Sequence, residues 1–106
     1  MFARHITLQL KPNRAKEFPV MFEKEIVPLL KKQRGFLGGV LLVTPGKKEL
    51  VVISLWETKV YADIYNKELY PMVEKMVEKD IEGVPILRNY EEAYSTFHKM
   101  AIPAMV

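Results

Sequence analysis

Two groups of side chains in this 106-residue chain have the means to do chemistry. The first is a row, His5, Thr7 and Gln9, set two residues apart in a stretch that alternates with Ile6, Leu8 and Leu10. An imidazole titrates near neutral pH and can act as a general base, while a hydroxyl and an amide beside it can orient a ligand by hydrogen bonding. A half-buried strand edge carries the same residues, with its histidine solvated or bonded to a neighbour. The second group is aromatic. Trp56 can stack on a planar ring and offer its indole N–H to an oxygen, or serve as a core or dimer contact. Tyr61, Tyr65, Tyr90 and Tyr94 raise the same question. Of these, Tyr65 follows the tryptophan on a helix and Tyr90 lies mid-strand with Arg88 and Asn89. The predicted site is therefore His5 and Trp56 as catalytic residues, with Thr7, Gln9, Tyr65, Asn89 and Tyr90 binding substrate.

Other chemistries find no support. There is no glycine-rich phosphate loop, and the two histidines, His5 and His98, lie too far apart for a recognisable metal motif. With no cysteine there is no thiol nucleophile, disulfide or thiolate metal site, so no metal is expected and a reducing compartment is compatible. Ser54 and Ser95 lack the glycine-flanked turn of a nucleophile elbow. Zinc hydrolase, acyl transferase and nucleotidase are set aside. The net charge is +3, but Lys31, Lys32, Arg34, Lys47 and Lys48 are offset by Glu23, Glu25, Glu49 and the acids of 74–82. Such a mixture is a solvated surface and not a nucleic-acid stripe. The opening Met-Phe-Ala-Arg-His precedes no apolar leader segment, and charged residues interrupt every apolar run, so a soluble cytoplasmic protein with no membrane contact is expected.

These residues must be positioned by a small set of elements. Phe2 to Leu10 alternates with period two and predicts a strand with one apolar face. From Arg14 to Lys32, Phe18, Met21, Phe22, Ile26, Leu29 and Leu30 recur at helical spacing, with a kink expected at Pro28 and a stop at Gly35. Phe36–Thr44 and Leu50–Trp56 predict a hairpin about Pro45-Gly46-Lys47-Lys48. Thr58 is a predicted N-cap for a helix carrying Tyr61, Ile64 and Tyr65. The pattern falters at Asn66-Lys67, resumes through Tyr70, Met72, Val73, Met76 and Val77, and is expected to end at Gly83 and Pro85. A last strand is predicted from Ile86 to Phe97, with a short tail over 98–106.

The order is that of an α+β, ferredoxin-like β-α-β-β-α-β domain spanning residues 1–106, a four-stranded antiparallel sheet with helices on one face. Val51, Ile53 and Leu55 alternate with Val52, Ser54 and Trp56, so the third strand is apolar toward both sides. Its second side must be covered, and a homodimer through the sheet face does this. The RNA recognition motif shares the strand order. It needs stacking aromatics and a basic residue on the third strand, which Val51–Leu55 does not supply. Feast-famine regulators share the order too, but carry a helix-turn-helix ahead of it.

Gly35-Phe36-Leu37-Gly38, opening the second strand, and Val51-Val52-Ile53-Ser54-Leu55-Trp56-Glu57-Thr58, closing the third into a helix, resemble the antibiotic biosynthesis monooxygenase-like group of the dimeric α/β-barrel superfamily. That resemblance implies a dimeric α/β barrel. Members include cofactor-free oxygenases of electron-rich polycyclic phenols, haem degraders, and many proteins without an established reaction. The polyketide oxygenases place an asparagine four positions before the tryptophan that corresponds to Trp56, and here that position is Val52. The haem degraders' asparagine, tryptophan and histidine fall on His5, Tyr65 and Lys75, so haem degradation is not implied.

The expected function is that of a cofactor-independent monooxygenase acting on a small aromatic or enolisable substrate in a cavity of the homodimer. His5 would be the base, and Trp56 and Tyr65 would hold the ring. The alternative is a non-catalytic dimer that binds a small hydrophobic molecule in the same cavity.

Overall fold

A computed structural model describes residues 1–46 and 48–96. Lys47, Phe97 and the 98–106 tail lie outside the described residues. Strand β1 (Phe2–Leu10) lies inside the sheet, paired on both sides with strands from later in the chain. It pairs antiparallel with β3 (Glu49–Trp56) on one side and with β4 (Ile81–Glu91) on the other, and β2 (Phe36–Val43) forms the edge beyond β3. The order β2-β3-β1-β4, with all helices on one side, is the predicted ferredoxin-like α+β fold.

The period-two pattern of β1 decides what lies beneath the helices. Phe2, Arg4, Leu8 and Leu10 are buried and Ile6 packs against the same core, whereas Ala3, His5 and Thr7 are half-buried and Gln9 is exposed on the opposite face. Register carries the division into the neighbours. Opposite Phe2, Ile6 and Leu8 on β3 stand Trp56, Val52 and Leu50, and opposite Ala3, His5 and Thr7 stand Leu55, Ile53 and Val51.

The helical stretch predicted from Arg14 to Lys32 forms as α1 (Glu17–Met21), a π-helical turn (Phe22–Ile26) and α2 (Val27–Lys31). Pro28 explains the turn. It has no N–H to give to the carbonyl one α-turn back, and the chain widens there, with the Val27 N–H bonded to the Phe22 carbonyl. The stop at Gly35 also holds. Its φ of +81° suits glycine, and a Cβ there would collide with the Tyr61 ring. Thr58 has the extended backbone of an N-cap ahead of α3 (Lys59–Glu68), but its hydroxyl makes no capping bond.

Two sequence expectations fail at the far end. Helix α4 (Tyr70–Val77) gives way to a 3-10 turn (Glu78–Asp80) and not to a stop at Gly83 and Pro85. Both residues lie inside β4, which starts at Ile81 and not Ile86, and ends at Glu91. An edge strand tolerates a proline, since one row of its backbone groups needs no partner. The register with β1 shifts between Thr7, opposite Ile86, and Gln9, opposite Glu82, so the intervening residues of β4 bulge around Gly83 at φ +70°. The turn is pinned by Asp80, whose buried carboxylate accepts hydrogen bonds from Arg14 Nε at 2.7 Å and Nη2 at 2.6 Å.

Candidate functional site

The sheet separates the predicted site residues into two sets. His5, Thr7, Gln9 and Tyr90 lie on the face without helices, with the His5 and Tyr90 rings edge to face at 6.0 Å. Trp56 and Tyr65 are buried under the helices at 5.1 Å between centroids. Asn89 stands opposite Arg4, on the helix side at the exposed β4 edge, so it does not share a face with Arg88 and Tyr90 as their adjacency in sequence suggested. The expectation that His5, Trp56 and Tyr65 converge on one space is therefore corrected. Residues 5 and 56 fall at odd and even positions of paired strands, and the pleat sends them to opposite faces.

Beneath the helices the aromatic side chains form a connected series. Phe36 meets Trp56 at 5.4 Å and 69°, Trp56 meets Tyr65, and Tyr65 meets Tyr70 at 6.3 Å. Trp56 is fully buried, and its indole N–H donates to Ser54 Oγ at 3.0 Å. That N–H is committed, contrary to the expectation that it meets a ligand directly. Ser54, by accepting this bond, keeps its own proton available to the space it lines.

The side chain of this cluster that sequence reasoning missed is Arg4. It is 3% exposed, its guanidinium carbon sits 5.0 Å from the Tyr70 ring centroid and 5.7 Å from that of Tyr65, and its buried Nε and Nη2 have no hydrogen-bond partner among the described residues. Each cation–π contact contributes about 0.5–2 kcal/mol, whereas withdrawing a charge from water costs several kcal/mol. The rings alone do not compensate this guanidinium. A signal was present in the sequence: Arg4 is the one charged member of the row Phe2, Arg4, Ile6, Leu8, Leu10.

Burial and charge tune the groups around it. Burial pushes the Tyr65 hydroxyl up to about 12, with Arg4 opposing the shift and Tyr70 adding to it. Burial, then the Glu74 carboxylate and its hydrogen bond, raises Tyr70 against the pull of Arg4. Burial pulls Arg4 itself below its usual range, opposed by Tyr65, Tyr70 and Asp63. At neutral pH both phenols keep their protons, so they are hydrogen-bond donors and ring walls and not bases.

Two spaces adjoin this cluster. An enclosed cavity of about 40 Å³ lies between the sheet and the helices, with Ser54, Tyr65 and Tyr70 as its polar lining and Phe18, Phe22, Ile26 and Val52 among its apolar walls. A more open groove of about 380 Å³ runs between α1–α2 and β2, with Glu23 and Lys31 among its lining residues. Phe22, Leu30, Val52 and Ser54 line both. The smaller space holds about a water molecule, and an aromatic ring needs roughly 150 Å³. Phe22, one of the side chains shared by the two spaces, sits at the start of the π-helical turn. Among the described residues, no three His, Asp or Glu side chains gather to hold a metal ion. No helix among them is long and apolar enough to cross a membrane.

Fold and site together define a small ferredoxin-like α+β domain with an aromatic cleft beneath its helices. The family model described as antibiotic biosynthesis monooxygenase matches residues 1–67, and the chain belongs to that family. Among solved structures, it is similar to a monooxygenase from the gene ActVA-Orf6 of Streptomyces coelicolor, in complex with nanaomycin D, at 11% identity and a TM-score of 0.75, covering 89% of this chain and 88% of that one. It is similar to SnoaB, a cofactor-independent oxygenase from Streptomyces nogalater, at 11% identity and a TM-score of 0.74, covering 90% and 95%. A Nitrosomonas europaea protein of unknown function shares the fold at 14% identity and a TM-score of 0.71, covering 90% and 91%. At such identities these likenesses carry the fold alone. No curated protein matches the chain.

The elevated Tyr65 has a measurable consequence. Its folded pKa lies above the ordinary phenol value of 10, so its contribution to stability is fully present below pH 10 and is lost as pH rises toward 12. A loss of about 2–3 kcal/mol across that window is expected in denaturant titrations, and Tyr65→Phe should remove it. Unchanged pH dependence in the variant would mean that Tyr65 titrates as an exposed phenol.

Proposed function

We propose that this protein is a cofactor-independent monooxygenase of a small electron-rich phenolic or enolisable ring, bound beneath the helices, and that it works as a homodimer. The observation that carries the reading is the Phe36–Trp56–Tyr65–Tyr70 series, which meets the groove at Phe36 and the enclosed cavity at Tyr65 and Tyr70, within a chain of the monooxygenase family. The names of two similar structures, a monooxygenase and a cofactor-independent oxygenase, agree with it.

The chemistry balances without a reductant because the substrate supplies the electrons. A ring methylene loses a proton, its carbanion passes electrons to dioxygen, and a C–O bond forms. The resulting peroxide takes up a proton and expels water, leaving a carbonyl that retains one oxygen atom. The aromatic side chains provide flat apolar walls for the ring, and Ser54 offers a hydroxyl proton to an oxygen on it. Among the described residues, none that lines the enclosed cavity is a base at neutral pH. The substrate must therefore ionise readily, as anthrone- and quinol-type rings do. His5, with Thr7, Gln9 and Tyr90, belongs in this reading to the dimer face.

The case for the second copy rests on the open sheet face. Val40, Leu42, Ile86 and Tyr90 are each about half exposed there, and Val51, Ile53 and Leu55 lie between them. A contiguous patch of this kind is rarely left bare by a soluble chain, and a twofold pairing of sheets covers it with its own likeness.

With an anthrone substrate, the protein should consume one dioxygen per molecule above the uncatalysed background and place one labelled oxygen atom in the new carbonyl. Val27→Trp, which fills the groove from its rim, should cut this rate at least tenfold. No uptake, with ligand still bound, would favour the non-catalytic binding protein. A loss confined to His5→Ala would move the chemistry to the open face. In sedimentation at micromolar concentration the protein should run as a dimer and Ile53→Asp as a folded monomer. A monomeric parent protein would contradict the pairing.

A further inference from the structure

We propose that Arg4 is the receptor for an oxyanion carried on a planar apolar ring, either an ionised phenol or enol or a ring carboxylate. The inference deepens the oxygenase reading, on which it rests, by assigning the substrate its charge and the end by which it is held.

The geometry is that of a cation held ready. Arg4 stands on the central strand opposite Ser54 of β3 and Asn89 of β4, and it is 3% exposed. Nε and Nη2 are buried and donate to nothing among the described residues. The two rings that carry the guanidinium, Tyr65 and Tyr70, also line the enclosed cavity together with Ser54. The carboxylate whose field reaches Arg4, Asp63, is held by Lys59 at 2.7 Å. Glu74 engages Tyr70. A guanidinium keeps its proton in proteins and has no acceptor capacity, so burial without a carboxylate leaves it with hydrogen bonds to give and positive charge to neutralise. The rest of that cavity's lining is apolar, with Ile6, Leu8, Phe18 and Val73 among it. An oxyanion on a flat ring meets both demands, with its oxygen on Arg4 and its ring between the aromatic walls. It also answers the missing base, because a cation at the binding point lowers the pKa of a bound phenol or enol, and the proton departs to solvent as the ligand is bound.

Binding of 2-naphthol, 2-naphthoate and 2-methylnaphthalene to the full chain tests this, with Arg4→Met as the neutral variant of similar length. Arg4→Met should bind the two oxygen-bearing probes at least tenfold more weakly and 2-methylnaphthalene within twofold, and Arg4→Lys should keep part of the preference. Calorimetry in two buffers separates the sources. Release of a proton on binding 2-naphthol identifies the ionised phenol. Tight binding of 2-naphthoate alone, without proton release, identifies the carboxylate. Equal affinity of parent and Arg4→Met for both oxygen-bearing probes overturns the proposal. So does loss of all three probes with a lowered melting temperature, which would make Arg4 a support of the fold alone. If the probes discriminate but anthrone is not oxidised, the oxyanion site stands and the oxygenase reading falls. If Arg4→Met oxidises anthrone at the parent rate, the reverse holds.

Discussion

The structure turns on the pleat of its central strand. Because β1 is paired on both sides, its alternate residues are divided between two environments with no edge at which to compromise. Phe2, Ile6, Leu8 and Leu10 supply the floor of the core, and Arg4 is carried down with them. A one-residue slip would bring Arg4 to the open face and His5 under the helices, so the apolar members of the row hold the guanidinium where its own solvation would not place it. The character of the helix side as a site depends on that forced burial.

The helix layer answers this floor with a local irregularity. Pro28 removes one backbone donor, the chain widens into a π-helical turn, and the turn opens with Phe22, a side chain shared by the enclosed cavity and the groove. Such turns recur where a helix must serve a site, since they spoil one hydrogen bond to aim a side chain. Here the proline that weakens the helix lies within two turns of Phe22, a side chain that lines both spaces.

Much of the fold was legible because its signals are local. The period-two run of β1, the helical spacing from Phe18 to Leu30, the stop at Gly35 and the two-sided apolar run of β3 each specify an element from within a few residues. The start of β4 was not legible, since Gly83 and Pro85 punctuate a helix in most contexts and become tolerable only on an edge strand with a bulge, a matter of pairing. The candidate site was read in part. Trp56 and Tyr65 are together, but joining them to His5 ignored that register with β1 fixes which face each residue occupies. Arg4 is hard to read for a related reason: polar residues on the open side of the alternation look chemical although charge is ordinary there, whereas Arg4 stands on the apolar side, where a charge is costly.

Family membership narrows the chemistry without naming a substrate, since one fold serves oxygenases and proteins of unknown function alike. This chain adds a buried cation, Arg4, whose Nε and Nη2 have no hydrogen-bond partner among the described residues, beside an aromatic cleft. The most direct measurement is a crystal structure of the protein soaked with 2-naphthol. The ring should lie between the sheet and α1–α2, with its oxygen within hydrogen-bond reach of Arg4 Nε or Nη2. A ring held between two sheets beside His5 and Tyr90, with the Arg4 surroundings unchanged, would contradict a site beneath the helices.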